Sequence, residues 1–298
     1  MTVRDLVIAA AARLKRVGIP DASLEAESLL AHALGRDAVW IVGHPEQALD
    51  AAAIRTYAAM IARRARREPF AYVIGEKWFY GRRFTVRPGV LVPRPSTEIL
   101  IEAVLGLVPK SAAATIIDVG AGSGAIGLTL SAERPKARTV LYDVSRKALD
   151  VARDNTKRLK LSRRIRLAKL DILRQSLSEP KQAKMRDRAF LPAYVIVVAN
   201  LPYLPLAQWK DAAPEVRGWE PKLALVSGAD GLDHYRALFK QIARWKRAPS
   251  VLALEAEPGQ FAELSRLASA LMPAARIDVV RDFHGDERIL IASKRKRP

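Results

Sequence analysis

The chain has 298 residues, half of them apolar, which is enough for two domains and a sizeable core. Fifty Lys and Arg against 31 Asp and Glu leave a net charge of +19, which favours an anionic partner such as RNA or the ribosome unless it is an ordinary Arg-rich solvated face. The lack of cysteine excludes disulfides and thiolate chemistry, the four scattered histidines lack metal-ligand spacing, and no run reaches the ~18 apolar residues of a membrane span, so a soluble cytoplasmic protein without a metal is expected.

Residues 1–68 read as a helical bundle for substrate recognition. The apolar run at 6–12 is short and followed by "RLKR", which fits a helix and not a signal peptide. In "SLEAESLLAHALG", Leu24, Leu29, Leu30, Ala33 and Leu34 recur near helical spacing, with Ser23 as N-cap and Gly35 as C-cap. "DAAAIRTYAAMIARRARR" repeats the pattern and ends in a basic turn suited to a helix C-terminus. The texture changes at Pro69, where "AYVIGEKWFYGRRFTV" reads as a β-hairpin turning at Gly81, a linker over residues 69–93.

From about residue 94 the chain forms a second domain that runs to 298. Beyond Ser111, apolar runs alternate with helical patterns, from "ATIIDVG" through "ARTVLYDV", "RIRLAKLDI" and "AYVIVVAN" to "SVLALEAE", with "ARIDVV" and "RILIAS" as a closing antiparallel pair. This predicts an α/β fold with a mostly parallel sheet covered on both faces. The polar, basic stretch 174–192 reads as a loop.

"DVGAGSGAIG" sets Gly120, Gly122, Gly124 and Gly127 between a strand and a helix, and Asp143 ends the next strand. Glycines admit close backbone approach to a ligand, and a strand-end carboxylate offers two acceptors to a ribose diol. The pattern fits nicotinamide and adenosyl cofactors alike; the overlapping G-x-G-x-G register after Asp118 favours S-adenosylmethionine. Asp171, ending the third strand, suits an adenine amino group, with Ile172 beside the ring; alternatively Asp171 caps the following turn.

The fourth strand breaks off at Asn200-Leu201-Pro202-Tyr203. Pro202 holds Leu201 in an extended conformation, so the Asn200 side-chain carbonyl and the Leu201 backbone carbonyl can accept both N–H groups of a planar NH₂, with Tyr203 stacking on its plane. Such an amide or aromatic amine is a poor nucleophile, and holding it against a methyl donor accelerates transfer through proximity and orientation.

Nearly the whole chain resembles the glutamine methyltransferases that modify peptide-chain release factors. "EAESLLAHALG" and "REPFAYVIGEKWFYGRRFTV" are similar to the family's N-terminal bundle and linker, and "VLVPRPSTEIL" to its proline-arginine-proline signature. "IIDVGAGSGAIGL", "DVSRKALDVARDN" and "GWEPKLALVSGADGLDHYR" continue the likeness. The resemblance implies a class I S-adenosylmethionine-dependent methyltransferase fold, Rossmann-like, with a seven-stranded, mostly parallel sheet. It implies cofactor contacts from Gly120, Ala121, Gly122, Ser123, Gly124, Asp143 and Ile172, with Asn200 touching both cofactor and substrate; Asp171 joins these cofactor contacts on its strand-end position alone. Asn200, Leu201, Pro202 and Tyr203 would hold the glutamine of a release factor's Gly-Gly-Gln.

Two positions depart from the family pattern. Leu201 stands where the family has proline, which predicts a less rigid corner, and Ser96 stands where it usually has aspartate and reads as a helix cap before Ile99. Asn-Leu-Pro-Tyr also resembles rRNA adenine dimethyltransferases. The alternatives are therefore an adenine-N6 RNA methyltransferase, a cofactor-binding RNA or ribosome adaptor without turnover, and a nicotinamide dehydrogenase.

Overall fold

The structure is a computed structural model that describes residues 1–180 and 192–294. Most of the 174–192 stretch read as a loop therefore lies outside the described residues. The chain divides into two compact units, Met1–Glu76 with Ala212–Glu220, and Lys77–Asp211 with Pro221–Pro298.

In the first unit, α1 (Val3–Arg16) opens with a reciprocal capping box: the Thr2 hydroxyl accepts from Asp5 N, and the Asp5 carboxylate accepts from Thr2 N. Helix α2 (Ala22–Leu34) ends as expected at Gly35 in the left-handed region. Its start differs from expectation: Ser23 lies inside the first turn, Asp21 takes the cap position without a side-chain bond, and Leu24 is exposed. The short α3 (Ala38–Gly43) precedes α4 (Ala51–Ala65), which Asp50 caps through Ala53 N at 2.7 Å. Leu14, Leu29, Leu30 and Ile61 form the core, and the buried Tyr57 hydroxyl donates to the Ala26 carbonyl at 3.0 Å.

The stretch read wholly as hairpin begins as a helical turn, α5 (Phe70–Ile74). Pro69 starts it, and Gly75 stops it with a left-handed cap. Local β-branched composition loses to these punctuating residues and to burial of Ala71, Tyr72 and Val73. The hairpin proper pairs β1 (Glu76–Phe79) with β2 (Arg82–Thr85). Tyr80 and Gly81 between them both have positive φ, the signature of a two-residue type I′ turn.

The second unit continues with α6 (Glu98–Leu107), β3 (Ala114–Val119), α7 (Ala125–Glu133), β4 (Arg138–Asp143), α8 (Arg146–Arg158), β5 (Ile165–Lys169) and β6 (Tyr194–Ala199). The chain then enters the first unit for α9 (Pro214–Trp219) and returns for α10 (Asp233–Ile242), β7 (Val251–Glu255), α11 (Phe261–Leu271), β8 (Ala275–Arg281) and β9 (Glu287–Lys294). The seven strands among the described residues take the order β5-β4-β3-β6-β7-β9-β8, with β9 alone running against the direction of the others. Ile116, Ile196 and Val198 face one apolar cluster, while Ile117, Val197 and Leu252 face the other. This two-sided burial explains why the central strands read as continuous apolar runs.

Helix α9 was not legible as an element. Its Glu215 accepts from Arg64 Nη1 at 3.1 Å and from Arg67 Nη2 at 2.8 Å, and Arg64 also donates to Glu25 from Nε at 2.5 Å. Burial pushes the Glu215 carboxyl up, but backbone, Arg67 and Arg64 hydrogen bonds outweigh it and hold the group below its ordinary range. Arg64 is buried between two carboxylates that keep some water contact. Arg64→Ala should therefore lower stability by roughly 3 kcal/mol, read from denaturant unfolding of the full chain, because it takes this partner from the half-buried Glu25 and leaves Glu215 with Arg67 alone. A loss below about 0.5 kcal/mol, the level of surface pairs, would contradict this.

Candidate active site

Strands β3 and β6 lie side by side in parallel, with Val119 opposite Ala199. From β3 the sheet grows to one side through β4 and β5, and to the other through β6 and β7, so the connections diverge at this pair. Ligands of open α/β sheets bind beyond the carboxyl ends of strands at such a switch point. Gly120 and Asn200 are the first residues past those ends.

The glycine loop is shaped by close approach. Gly120 has φ 76°, and a Cβ there would sit 2.9 Å from Leu201 Cδ2; its N–H and that of Ala121 both donate to the Tyr142 carbonyl at 2.9 Å. At Gly127 in α7, a Cβ would come within 2.4 Å of Leu141 Cδ2 and 2.9 Å of Asp118 Oδ2, so a larger residue there would push helix or neighbours aside. Ser123 is buried, and its carbonyl accepts from Asn155 Nδ2 at 2.9 Å, which anchors the middle of the loop.

Two carboxylates hold this loop. Asp143 Oδ2 accepts from Gly122 N and Oδ1 from Ser145 N, each at 2.8 Å, so the residue read as a ribose ligand also pins the loop opposite it. Burial raises its pKa, opposed by bonds from the Ser145, Gly122 and Val144 amides. Asp118 is completely buried beneath the loop; its Oδ2 accepts from Gly127 N at 2.9 Å, and its Oδ1 has no partner among the described residues. Burial pushes Asp118 up to about 7, the Gly127 bond opposes this, and neighbouring Asp143 adds to it. Asp171 Oδ1 accepts from Leu173 N at 3.0 Å, capping its own turn, and Ile172 beside it is buried.

At the corner, Asn200 Nδ2 donates to Thr97 Oγ1 at 3.3 Å, which directs its Oδ1 away from Thr97. Leu201 N donates to the Tyr235 hydroxyl at 3.2 Å, and the Leu201 side chain is buried. Leucine here therefore does more than present a carbonyl, and its N–H is tied down, so the looseness expected from a missing proline is countered. Gln260 Nε2 donates to the Tyr203 carbonyl at 2.9 Å, and Gly231 passes so near that a Cβ would lie 1.9 Å from that oxygen. Among the described residues nothing donates to Asn200 Oδ1 or to the Leu201 carbonyl, while both neighbouring groups that carry hydrogen are engaged. The corner thus offers two unengaged acceptors next to the glycine loop.

Behind it lies Glu255, the last residue of β7, buried, its Oε2 without a partner among the described residues. Burial pushes this carboxyl up to about 7, against the Thr97 and Ser96 hydroxyls and the charges of Arg288 and Arg94. Ser96 is no helix cap: it lies in a 3₁₀ turn, and its hydroxyl points to Glu255 Oε1 at 3.5 Å. Burial, then Glu255 and Glu257, raise the Tyr203 phenol, which stays neutral. Thr97, Tyr235 and Glu255 were missed by sequence reasoning. Glu255 carried the signal that found Asp143, a carboxylate ending a strand of the sheet.

Residues 5–75 match the family description "PrmC N-terminal domain", and residues 94–182 match "Methyltransferase small domain". The release factor glutamine methyltransferase of Cereibacter sphaeroides is 37% identical over 98% of both chains. That of Moorella thermoacetica is 36% identical over 99% of this chain and 100% of its own. The chain belongs to the release factor glutamine methyltransferase family. Among solved structures, the hMettl16 catalytic domain in complex with MAT2A 3'UTR hairpin 6 aligns with a TM-score of 0.54 at 14% identity, covering 81% of this chain and 82% of that one. That likeness bears on the fold alone, the class I methyltransferase sheet with its antiparallel edge. Among the described residues, no helix is long and apolar enough to cross a membrane.

The buried carboxyls at Asp118 and Glu255 have a thermodynamic consequence. Their folded pKa values, about 7, lie above the unfolded ones, so the folded chain holds protons that the unfolded chain has released. The resulting stability is complete below the ordinary carboxylate range and is lost as pH rises through about 7. Asp118→Asn cannot ionise, so its denaturation midpoint should fall less between about pH 5 and about pH 8 than that of the wild type. Equal pH slopes without ligand would contradict the assignment.

Proposed function

We propose that this chain transfers a methyl group from S-adenosylmethionine to the side-chain amide nitrogen of the glutamine in the Gly-Gly-Gln of a peptide-chain release factor. The observation that carries the reading is the pair of unengaged acceptors, Asn200 Oδ1 and the Leu201 carbonyl, next to the glycine loop at the switch point of the sheet. The full-length likeness to release factor glutamine methyltransferases supports the same substrate.

The residues present suit the cofactor. The loop of Gly120, Ala121, Gly122, Ser123 and Gly124 exposes backbone where side chains would intrude. Asp143 keeps lone pairs for ribose hydroxyls, and Asp171 with Ile172 borders the place for adenine. When bound, S-adenosylmethionine supplies an electrophilic methyl group on a sulfonium. Asn200 and Leu201 hold both hydrogens of the glutamine amide, fixing the direction of its nitrogen lone pair. Tyr203 provides an aromatic face for the amide plane, and Pro202, itself buried, keeps Leu201 extended. The two carbonyl acceptors also favour positive charge growing on that nitrogen, so the proton can leave after transfer and no general base is needed.

The test is single-turnover methyl transfer to a full-length release factor, read by mass spectrometry, with Gly-Gly-Glu and ribosomal RNA as comparison substrates. Methylation of the Gly-Gly-Gln glutamine is expected, with none of Gly-Gly-Glu. Asn200→Ala should slow transfer by roughly 10²–10³, the scale for one oriented catalytic hydrogen-bonding group. Transfer to RNA instead, or an unimpaired Asn200→Ala, would overturn the reading.

A further inference from the structure

We propose that Tyr235 is a positioning residue for the substrate corner, holding Leu201 so that its carbonyl is presented to the amide being methylated. This rests on the functional reading above for what the carbonyl binds, but the contact itself is independent of it. Tyr235 lies in the first turn of α10 and is completely buried. Its hydroxyl donates to the backbone carbonyl of Glu255 and accepts from Leu201 N at 3.2 Å. Both partners end or follow strands of the sheet, β7 and β6, so the phenol ties together the two strand ends behind the corner.

Leu201 is constrained from each side. Its N–H is bonded to Tyr235, its Cδ2 fills the space a Cβ at Gly120 would need, and Pro202 after it excludes helical backbone. Its carbonyl alone is left without a donor among the described residues. A peptide plane fixed at its N–H end, at its side chain and at the following ring has little freedom to turn its carbonyl away. The phenol is suited to this because its one oxygen both donates and accepts. Phenylalanine would keep the packing and leave the buried Leu201 N–H without a partner, an arrangement that costs more than the bond is worth.

Proline at 201 carries no N–H and fixes φ by its ring. The role of Tyr235 therefore predicts a dependence between the two positions. With Leu201 in place, Tyr235→Phe should lower single-turnover methyl transfer to saturating release factor by roughly tenfold. With Leu201→Pro already present, the same change should cost less, about twofold, since no N–H remains to be stranded and only the Glu255 carbonyl loses its donor. Amide exchange supplies a readout that needs neither cofactor nor substrate. In the wild type the Leu201 amide should be protected like those of β6, and in Tyr235→Phe it alone at the corner should exchange faster while β6 amides stay protected. Equal costs of Tyr235→Phe in both backgrounds would reduce Tyr235 to packing and overturn the proposal. An unprotected Leu201 amide in the wild type would do the same even if the variant fails to fold. Loss of all transfer to release factor by the wild type, with the exchange pattern intact, would instead sink the substrate reading and leave the Tyr235–Leu201 contact standing.

Discussion

The parallel pairing of β3 with β6 is the constraint on which the site depends. Once Val119 lies opposite Ala199, the chain must leave the sheet at Gly120 and at Asn200 side by side and at one level. The connections run away from each other there, the arrangement that in open α/β sheets leaves room for a ligand beyond the strand ends. The glycine loop and the corner with its two unengaged acceptors are thereby made neighbours. The side chain of Leu201 shows how near they are, since it occupies the room that any residue larger than glycine would take at 120.

Around that junction, buried polar groups act as supports. Asp118 and Asp143 hold the glycine loop by accepting from Gly127 and Gly122, while Thr97 and Tyr235 hold the corner from behind through Asn200 and Leu201. Glu255 meets both corner supports, its carboxyl near the Thr97 and Ser96 hydroxyls and its carbonyl bonded to Tyr235. Carboxyls so deeply buried are costly when ionised, and their raised pKa values record that cost. Within a chain of net charge +19, the carboxyls of Asp118, Asp143 and Glu255 are buried around this junction.

Much of this was legible in residue order, and the rest failed for identifiable reasons. The core strands announce themselves as apolar runs because both faces of the sheet are buried, and the glycine loop because backbone geometry there admits little else. Local signals misled where a distant neighbour or an adjacent punctuating residue decides the outcome. Ser96 resembles a cap but faces Glu255, 159 residues on, and Ser23 lies within the helix it was expected to start. The run after Pro69 has strand composition yet opens as a helical turn, and α9 is set by Arg64 and Arg67 from the far end of the chain. The leucine at 201 looked like a loss of rigidity because nothing in the sequence reveals that its N–H meets a phenol 34 residues away.

The central claim is that Asn200 Oδ1 and the Leu201 carbonyl together receive one glutamine amide at this junction. A crystal structure with S-adenosylhomocysteine and a Gly-Gly-Gln peptide measures it directly. The account predicts the glutamine nitrogen about 3 Å from both oxygens, a hydrogen-bond distance, with Tyr203 against the amide plane. A glutamine bound elsewhere, or one whose nitrogen approaches neither oxygen, would contradict it.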